Sequence, residues 1–319
     1  MPTLITGGTG FIGAEIARIL TNRSEKDITV FDMNESTHRL DEVAGQVKMV
    51  SGDIGDLSQV IDVVEKSSPA VIYHLAGMLS VSCEADPQSS IQVNALGTYH
   101  VLEAARLHAV DKVIFASSIG TYGTGITDDT IDDLTLQRPV LVYGACKLFG
   151  ENLGLFYRRK YGVDYRGLRY PPVVGPGVRS AGVTQYIPWV IEECGRGNPF
   201  TIWVRPETRV PLLYYKDIAR ATVELADAPR DNIQMINYLL GGPMPSAGEL
   251  AEMVRDKVPG ADIEFVVDEE KQALLDHALR PLDDRYAREE WGWKASFELE
   301  EMVDDFLHEL RDHPQRYGG

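Results

Sequence analysis

Cysteine is scarce in this chain. The 319 residues carry three, Cys83, Cys146 and Cys194, far apart and with no CxxC. An odd, widely spaced set excludes a disulfide framework and predicts reduced, buried thiols in a cytoplasmic protein. The seven histidines do not cluster with Cys or carboxylates at metal-ligand spacing, so no metal is expected. His74, inside an apolar run, reads as a core residue with a backbone hydrogen bond. Positive charge is also short: 31 Lys and Arg stand against 48 Asp and Glu, a net charge of −17. Such a surface repels nucleic acid and anionic membrane, and neither is expected as a partner. No apolar run reaches the roughly 20 residues of a bilayer span, and no basic segment before an apolar core suggests a signal peptide. There are no internal repeats and no low-complexity tract. What remains is an ordinary globular balance, 44% hydrophobic and 25% charged, long enough for one large α/β domain or two smaller ones.

The first half alternates short apolar runs with amphipathic stretches. TLIT (3–6), ITVFD (28–32), VKMVSGD (47–53), AVIYHLA (70–76) and KVIFASS (112–118) are β-branched and lack polar alternation, as strands covered on both faces do. Helical patterns lie between them at 11–21, 57–66 and 88–109, a long helix is expected over 142–161, and a further strand over 164–169. Alternation at this spacing predicts right-handed βαβ units: a doubly wound parallel sheet of the Rossmann type. Beyond about residue 172 Pro and Gly become frequent, and helical patterns recur at 183–195, 216–227, 246–257 and 297–311. The expected division is a nucleotide-binding domain, 1–172 together with about 212–240, and a smaller interleaved substrate lobe, 173–211 and 241–319. The four tryptophans, Trp189, Trp203, Trp291 and Trp293, read as core of that lobe.

LITGGTGFIG (4–13) puts four glycines directly after the first apolar run. Glycine inside a helix costs stability relative to alanine, so something here needs a bare backbone. Gly7-Gly8-Thr9-Gly10-Phe11-Ile12-Gly13 fits G-x-x-G-x-x-G between a predicted strand and a predicted helix. Gly7 would permit the tight turn, Gly10 the close approach of a pyrophosphate, and Gly13 close packing of helix on strand. The helix start, with Phe11 and Ile12, offers free N–H groups and partial positive charge to phosphates. An ordinary strand-to-helix turn is the alternative. Asp32, nineteen residues after Gly13 and ending the second strand, can bond both hydroxyls of an adenosine ribose and repels a 2′-phosphate. NAD is therefore favoured over NADP, with Arg39 too far along the loop to reverse this. Asp53, after the third strand, is placed for the adenine amino group; a turn role at the strand end is equally open.

VYGACK supplies Tyr143 and Lys147, four residues apart and hence on one face of a helix. A free tyrosine is a poor base at neutral pH; a neighbouring ammonium favours its phenolate. The pair suits proton transfer during hydride chemistry on an alcohol. Ser118, at the C-terminal end of a predicted strand, can hydrogen-bond the reacting oxygen, while Ser117 reads as structural. Colinear with these are TGGTGFIG, FD (31–32), GDI (52–54), YHLAG (73–77), NALGT (94–98), SSIGTYG, LRYPPVVGPG (168–177) and YYKDIARA (214–221). Together they resemble the extended short-chain dehydrogenase/reductases grouped as NAD-dependent epimerase/dehydratases, over most of the chain. The resemblance implies a Rossmann domain, bound NAD, a Ser118–Tyr143–Lys147 triad, and often a homodimer formed through two long helices, here 88–109 and 142–161. It adds Ile54, Leu75, Ala76, Gly77 and Tyr170 to the cofactor residues, and gives Asn94 a supporting role beside the active site.

Two departures bear on substrate. Nucleotide-sugar epimerases of the family carry R-Y-F-N where this chain has Arg169-Tyr170-Pro171-Pro172. Basic residues for a diphosphate sugar are scattered, with only Arg209 placed near the cleft. RPVLVYGACK, AGVTQYI (181–187), VPLLYYKD (210–217) and REEWGW (288–293) instead resemble the short-chain type of L-threonine 3-dehydrogenases. That resemblance implies a small-molecule substrate contacted by Ser80, Ser118, Tyr143, Thr184 and Gln185. Gln185 replaces the aspartate of the motif, and a neutral amide balances a substrate ammonium less well than a carboxylate. The expected activity is NAD-dependent oxidation of a small polar secondary alcohol, L-threonine-like or another β-hydroxy acid; the alternative is UDP-sugar 4-epimerisation or dehydration at the same site.

Overall fold

The computed structural model describes residues 1–318, apart from the side chains of His277 and Ala278; the expectation that His277 binds no metal lies outside the described residues. Six strands follow the order of the chain: β1 (Thr3–Thr6), β2 (Ile28–Asp32), β3 (Val47–Ser51), β4 (Val71–His74), β5 (Lys112–Ser118) and β6 (Asp164–Tyr170). Two short parallel pairs lie apart, β7 (Val173–Val174) with β9 (Leu213–Tyr214) and β8 (Phe200–Ile202) with β11 (Ile263–Phe265). β10 (Asn237–Leu239) returns to pair with β6 and completes a seven-stranded parallel sheet, ordered β10-β6-β5-β4-β1-β2-β3. The chain leaves β1 toward β2 and β3, then crosses back to place β4 on the other side. Crevices for ligands open at such a switch, beyond the carboxyl ends of the strands.

Helices α1 (Phe11–Asn22), α2 (Leu57–Ser67), α3 (Ser80–Ala85), α4 (Pro87–Ser90), α5 (Gly97–Leu107) and α6 (Val142–Tyr161) accompany the first five crossovers. Then come α7 (Tyr186–Gly195), α8 (Tyr215–Asp227), α9 (Ala247–Lys257), α10 (Glu269–Ala278), α11 (Arg285–Trp291) and α12 (Leu299–Asp312). One sheet face buries Ile5, Val30 and Leu168 against Ile16 and Leu20 of α1 and Ile218 and Val223 of α8. The other buries Leu4, Ile72 and Phe115 against Val60 and Val64 of α2, Val101 of α5 and Tyr157 of α6. A separate core gathers α7, α9 and α12 around Val190, Leu250 and Phe306. Caps set several of the helix ends. The Asp56 carboxylate accepts from the N–H groups of Ser58 and Gln59 at the start of α2, and Ser246 with Glu249 forms a reciprocal capping box on α9.

The expected helix over 88–109 is interrupted. Between α4 and α5, residues Ile91–Leu96 form a π-helical turn. One wide turn shifts the phase of the helix, and Asn94 inside it clamps the backbone of Met78, accepting from its N–H at 2.8 Å and donating to its C=O at 3.0 Å. The tryptophans also divide differently from expectation. Trp189 and Trp203 stack edge-to-face beside the small core, whereas Trp291 and Trp293 pack on the main core with Tyr238. The chain returns to the sheet edge at β10, and α11 follows it there. His74 is a core residue, but its partners are side chains: Thr6 Oγ1 lies 2.8 Å from Nδ1 and Thr98 Oγ1 3.1 Å from Nε2.

Candidate active site

Two contiguous cavities open over the switch between β1 and β4. One, of about 700 Å³, is lined by Asp32, Asp53, Ile54 and Ala76. The other, of about 630 Å³, is lined by Phe11, Ile12, Gly13, Ser118, Tyr143, Lys147, Tyr170, Thr184 and Gln185. Gly7, Gly10, Leu75 and Gly77 line both. The junction is the start of α1. Gly10 caps the helix in extended conformation, no side chain bonds its first-turn N–H groups, and no acidic residue stands there. Positive dipole and free donors thus face the cavities uncompensated, the setting for an anion such as a diphosphate. A side chain at Gly13 would bring its Cβ within 2.4 Å of the Gly7 carbonyl, so only glycine lets the turn close against the helix.

At the far end, Asp32 Oδ2 accepts from Thr9 N–H at 3.1 Å and from its hydroxyl at 2.7 Å, and Oδ1 accepts from Asn34 N–H at 3.0 Å. These bonds hold the carboxylate at the cavity wall, where it can receive two ribose hydroxyls. Asp53 Oδ1 accepts from Gly55 N–H at 2.7 Å, so it shapes the strand-end turn while also lining the cavity. The residues present fit a dinucleotide: acid at one end, bare helix start in the middle, and the Tyr143 pocket at the other.

At that end α6 and the loop after β5 touch backbone to backbone. A Cβ on Gly144 would fall 1.9 Å from the carbonyl of Gly120, so the glycine beside Tyr143 is what admits the phenol next to Ser118. Ser118 Oγ is fixed by the Gly120 N–H at 3.0 Å. Lys147, one turn along α6, is 5% exposed and donates to the Ala116 carbonyl at 2.7 Å; its Nζ lies 5.7 Å from the Tyr143 ring centre. The sequence predicts a phenol acidified by this ammonium. In the protein without dinucleotide, burial instead pushes the Tyr143 phenol up to about 12, opposed by a Ser118 hydrogen bond and not by Lys147. Burial also pulls the Lys147 ammonium down to about 8.

The remaining sequence candidates are placed as follows. Tyr170 reaches the cavity, but its hydroxyl bonds Thr222 Oγ1 at 2.7 Å, turned into the core. Thr184 and Gln185 line the substrate end on a short 3-10 turn. Ser80 opens α3 and is absent from the lining of both cavities. Ser117 donates to Glu151 at 2.5 Å, a structural bond. Arg209 is displaced from the cleft: it pairs with Glu249 at 2.8 Å on an exposed surface, because the capping box of α9 sets a carboxylate beside it. The arginines that do line the cavity are Arg39 and Arg179. Arg39 donates to the Gly177 carbonyl at 2.6 Å and lies over the Phe11 ring; nothing in its local sequence signals this, since residue 177 must fold back to meet it.

With this geometry in view, comparisons with known proteins converge. The family model described as "NAD dependent epimerase/dehydratase family" matches residues 3–241. L-threonine 3-dehydrogenase, mitochondrial, of Bos taurus is 31% identical over 306 residues, 96% of this chain and 81% of that protein. Among solved structures, the holo form of an L-threonine dehydrogenase from Cupriavidus necator superposes with TM-score 0.89 at 30% identity, covering 97% of this chain and 100% of that one. A UDP-glucose 4-epimerase from Thermus thermophilus, complexed with NAD, gives TM-score 0.82 at 25% identity, over 98% and 99% of the two chains. The chain belongs to the NAD-dependent epimerase/dehydratase family, and NAD is its cofactor.

Proposed function

We propose that the protein is an NAD-dependent dehydrogenase oxidising a small polar secondary alcohol, L-threonine or a related β-hydroxy acid. The observation that carries this reading is the convergence of Ser118, Tyr143 and Lys147 in a cavity continuous with the uncapped start of α1. The L-threonine dehydrogenases among the similar proteins support it. NAD, when bound, would supply the hydride acceptor and a positive charge. Ser118 orients the substrate hydroxyl, Tyr143 takes its proton as phenolate, and Lys147 stabilises that phenolate from one turn away. Gly7, Gly10, Phe11, Ile12, Gly13, Leu75 and Gly77 hold the dinucleotide between Asp32 and Tyr143, and Thr184 and Gln185 contact the substrate.

Nucleotide-sugar epimerisation is the second reading, supported by the epimerase neighbour. Against it, Arg169 of the Arg169-Tyr170-Pro171-Pro172 run is buried in an ion pair with Glu151 at 2.8 Å, and Pro172 has no amide side chain for a diphosphate. An epimerase returns its hydride, so net NADH formation separates the two. Tyr143→Phe should lower turnover by about 10²–10⁴-fold with the Kd for NAD nearly unchanged, measured by NADH absorbance and calorimetry; full turnover would refute the role of Tyr143.

The reading extends to organisation. Residues 1–172 and 212–240 serve as the nucleotide-binding unit, and 173–211 with 241–319 as the substrate lobe, a division supported by the separate core of α7, α9 and α12, with α11 and Trp293 crossing back onto the main core. The protein is a cytoplasmic homodimer. Supporting this are the three free cysteines and the exposed apolar residues Ile91, Leu107, Phe149 and Leu155 on the paired helices. Among the described residues no helix is long and apolar enough to cross a membrane.

A further inference from the structure

The cavity around Tyr143 has an uneven stock of charge. Among the described residues, its lining holds no aspartate or glutamate. It does hold Lys147, Arg39 and Arg179. Glu192, behind Arg179, is buried and already shared: it accepts from Arg179 at 2.7 Å and the Gly177 N–H at 2.9 Å and forms an ion pair with Arg196 at 3.0 Å. Arg39 has no carboxylate within ion-pair distance among the described residues, donating only to a backbone carbonyl. The acids of the site, Asp32 and Asp53, line the adjoining cavity instead. Gln185, beside Thr184, offers a neutral amide whose Nε2 lies 3.4 Å from Ser180 Oγ.

We propose, resting on the dehydrogenase reading above, that the alcohol accepted here carries no ammonium group: the substrate class is the des-amino 3-hydroxy acids. A buried cation needs a paired anion, and a like charge beside it adds repulsion. The two negative charges of a dinucleotide diphosphate would offset at most Arg39 and Arg179, and a Tyr143 phenolate at most one of Lys147 and the pyridinium, which leaves the reacting end net positive. An ammonium on the carbon next to the alcohol would enter a net positive pocket with no acid to meet it. A carboxylate enters with complementary charge. In the overall reaction the 3-hydroxy acid loses hydride from C3 and a proton from its hydroxyl, giving the 3-oxo acid, NADH and H⁺.

The test compares near-isosteres that differ in the amine. Wild-type protein with NAD⁺ at pH 8 is assayed with L-threonine and with each enantiomer of 3-hydroxybutanoate. The better enantiomer should show at least tenfold higher kcat/KM than threonine. Equal or faster turnover of threonine overturns the inference while leaving the dehydrogenase reading intact. A second measurement removes dependence on turnover: calorimetric titration of the NAD complex of Tyr143→Phe with the same acids. Binding of 3-hydroxybutanoate at least tenfold tighter than threonine supports the inference, and the reverse order sinks it. If no alcohol yields NADH, the dehydrogenase reading fails, and the calorimetric ranking still decides which charge the pocket takes.

Discussion

His74 shows how a single titratable residue is silenced by packing. Its ring lies between two threonine hydroxyls, and Thr98 Oγ1 itself donates to the Asn94 carbonyl at 2.7 Å. That direction makes Nε2 the donor to Thr98 and Nδ1 the acceptor from Thr6, a neutral imidazole. Burial lowers its pKa from 6.5 to about 3, and the Lys147 charge adds to the shift. Below pH 6.5 the unfolded chain takes up a proton that the folded one refuses, so stability falls as pH falls from 6.5 toward 3. Between pH 7 and pH 5 this one group should cost about 2 kcal/mol. His74→Asn should shrink the difference between urea-unfolding free energies at the two pH values by that amount; an unchanged difference would mean the ring is charged in the fold. At this scale the chemistry is readable in advance where partners are local. Tyr143 and Lys147 meet because four residues make one helical turn. Arg39 and Gly177, or His74 and Thr98, meet only after distant segments are folded together.

At the scale of elements, α6 carries the site. Tyr143, Lys147 and Glu151 follow at successive turns of one face. Glu151, 2% exposed, accepts from Ser117 on β5 and from Arg169 on β6. Arg169 in turn donates to the Tyr122 hydroxyl and to the Asp133 carbonyl. Asp133 offers Arg169 only a longer contact, its Oδ1 at 3.8 Å, and burial pushes its carboxyl up to about 7. Glu151→Ala should strand the buried guanidinium and destabilise the protein by about 3–5 kcal/mol, read as the shift in denaturation midpoint at constant m. A loss under about 1 kcal/mol would show that Arg169 finds other acceptors. The strands and α1, α2 and α6 were legible because apolar periodicity reports burial directly. The π-helical turn was not, since the phase shift it brings falls within a short stretch that carries no distinctive residue pattern, and the Asn94 bonds to Met78 join segments sixteen residues apart. α10 and α11 were also missed, their short and charged sequences taking order from the surfaces they cover.

At the scale of the whole molecule, the paired helices predict association. α5 and α6 lie side by side over the sheet, and Ile91, Leu107, Phe149 and Leu155 remain more than a third exposed on them and the adjoining π turn. Exposed apolar residues gathered on neighbouring helices can form an interaction surface, and a two-fold axis would let one copy cover the other. Light scattering after size exclusion should give twice the 35.4 kDa chain mass, and Phe149→Glu should shift it to the monomer with Tyr143 still in place. A wild-type monomer at tens of micromolar would rule the interface out.

The order of βαβ units, the bare-glycine loop, the acid after the second strand and the Tyr143–Lys147 pair were set by sequence alone, because each is a short-range pattern whose physical reason lies within a few residues. The fold decided what depends on distant segments. It made one long site from two cavities at the β1–β4 switch, moved Arg209 out and Arg39 and Arg179 in, and drew Trp293 to the main core. It also concentrated acids at one end of the cleft and cations at the other. Electrostatics and desolvation act through space, so the charge of the reacting pocket exists only once the loops that line it have closed.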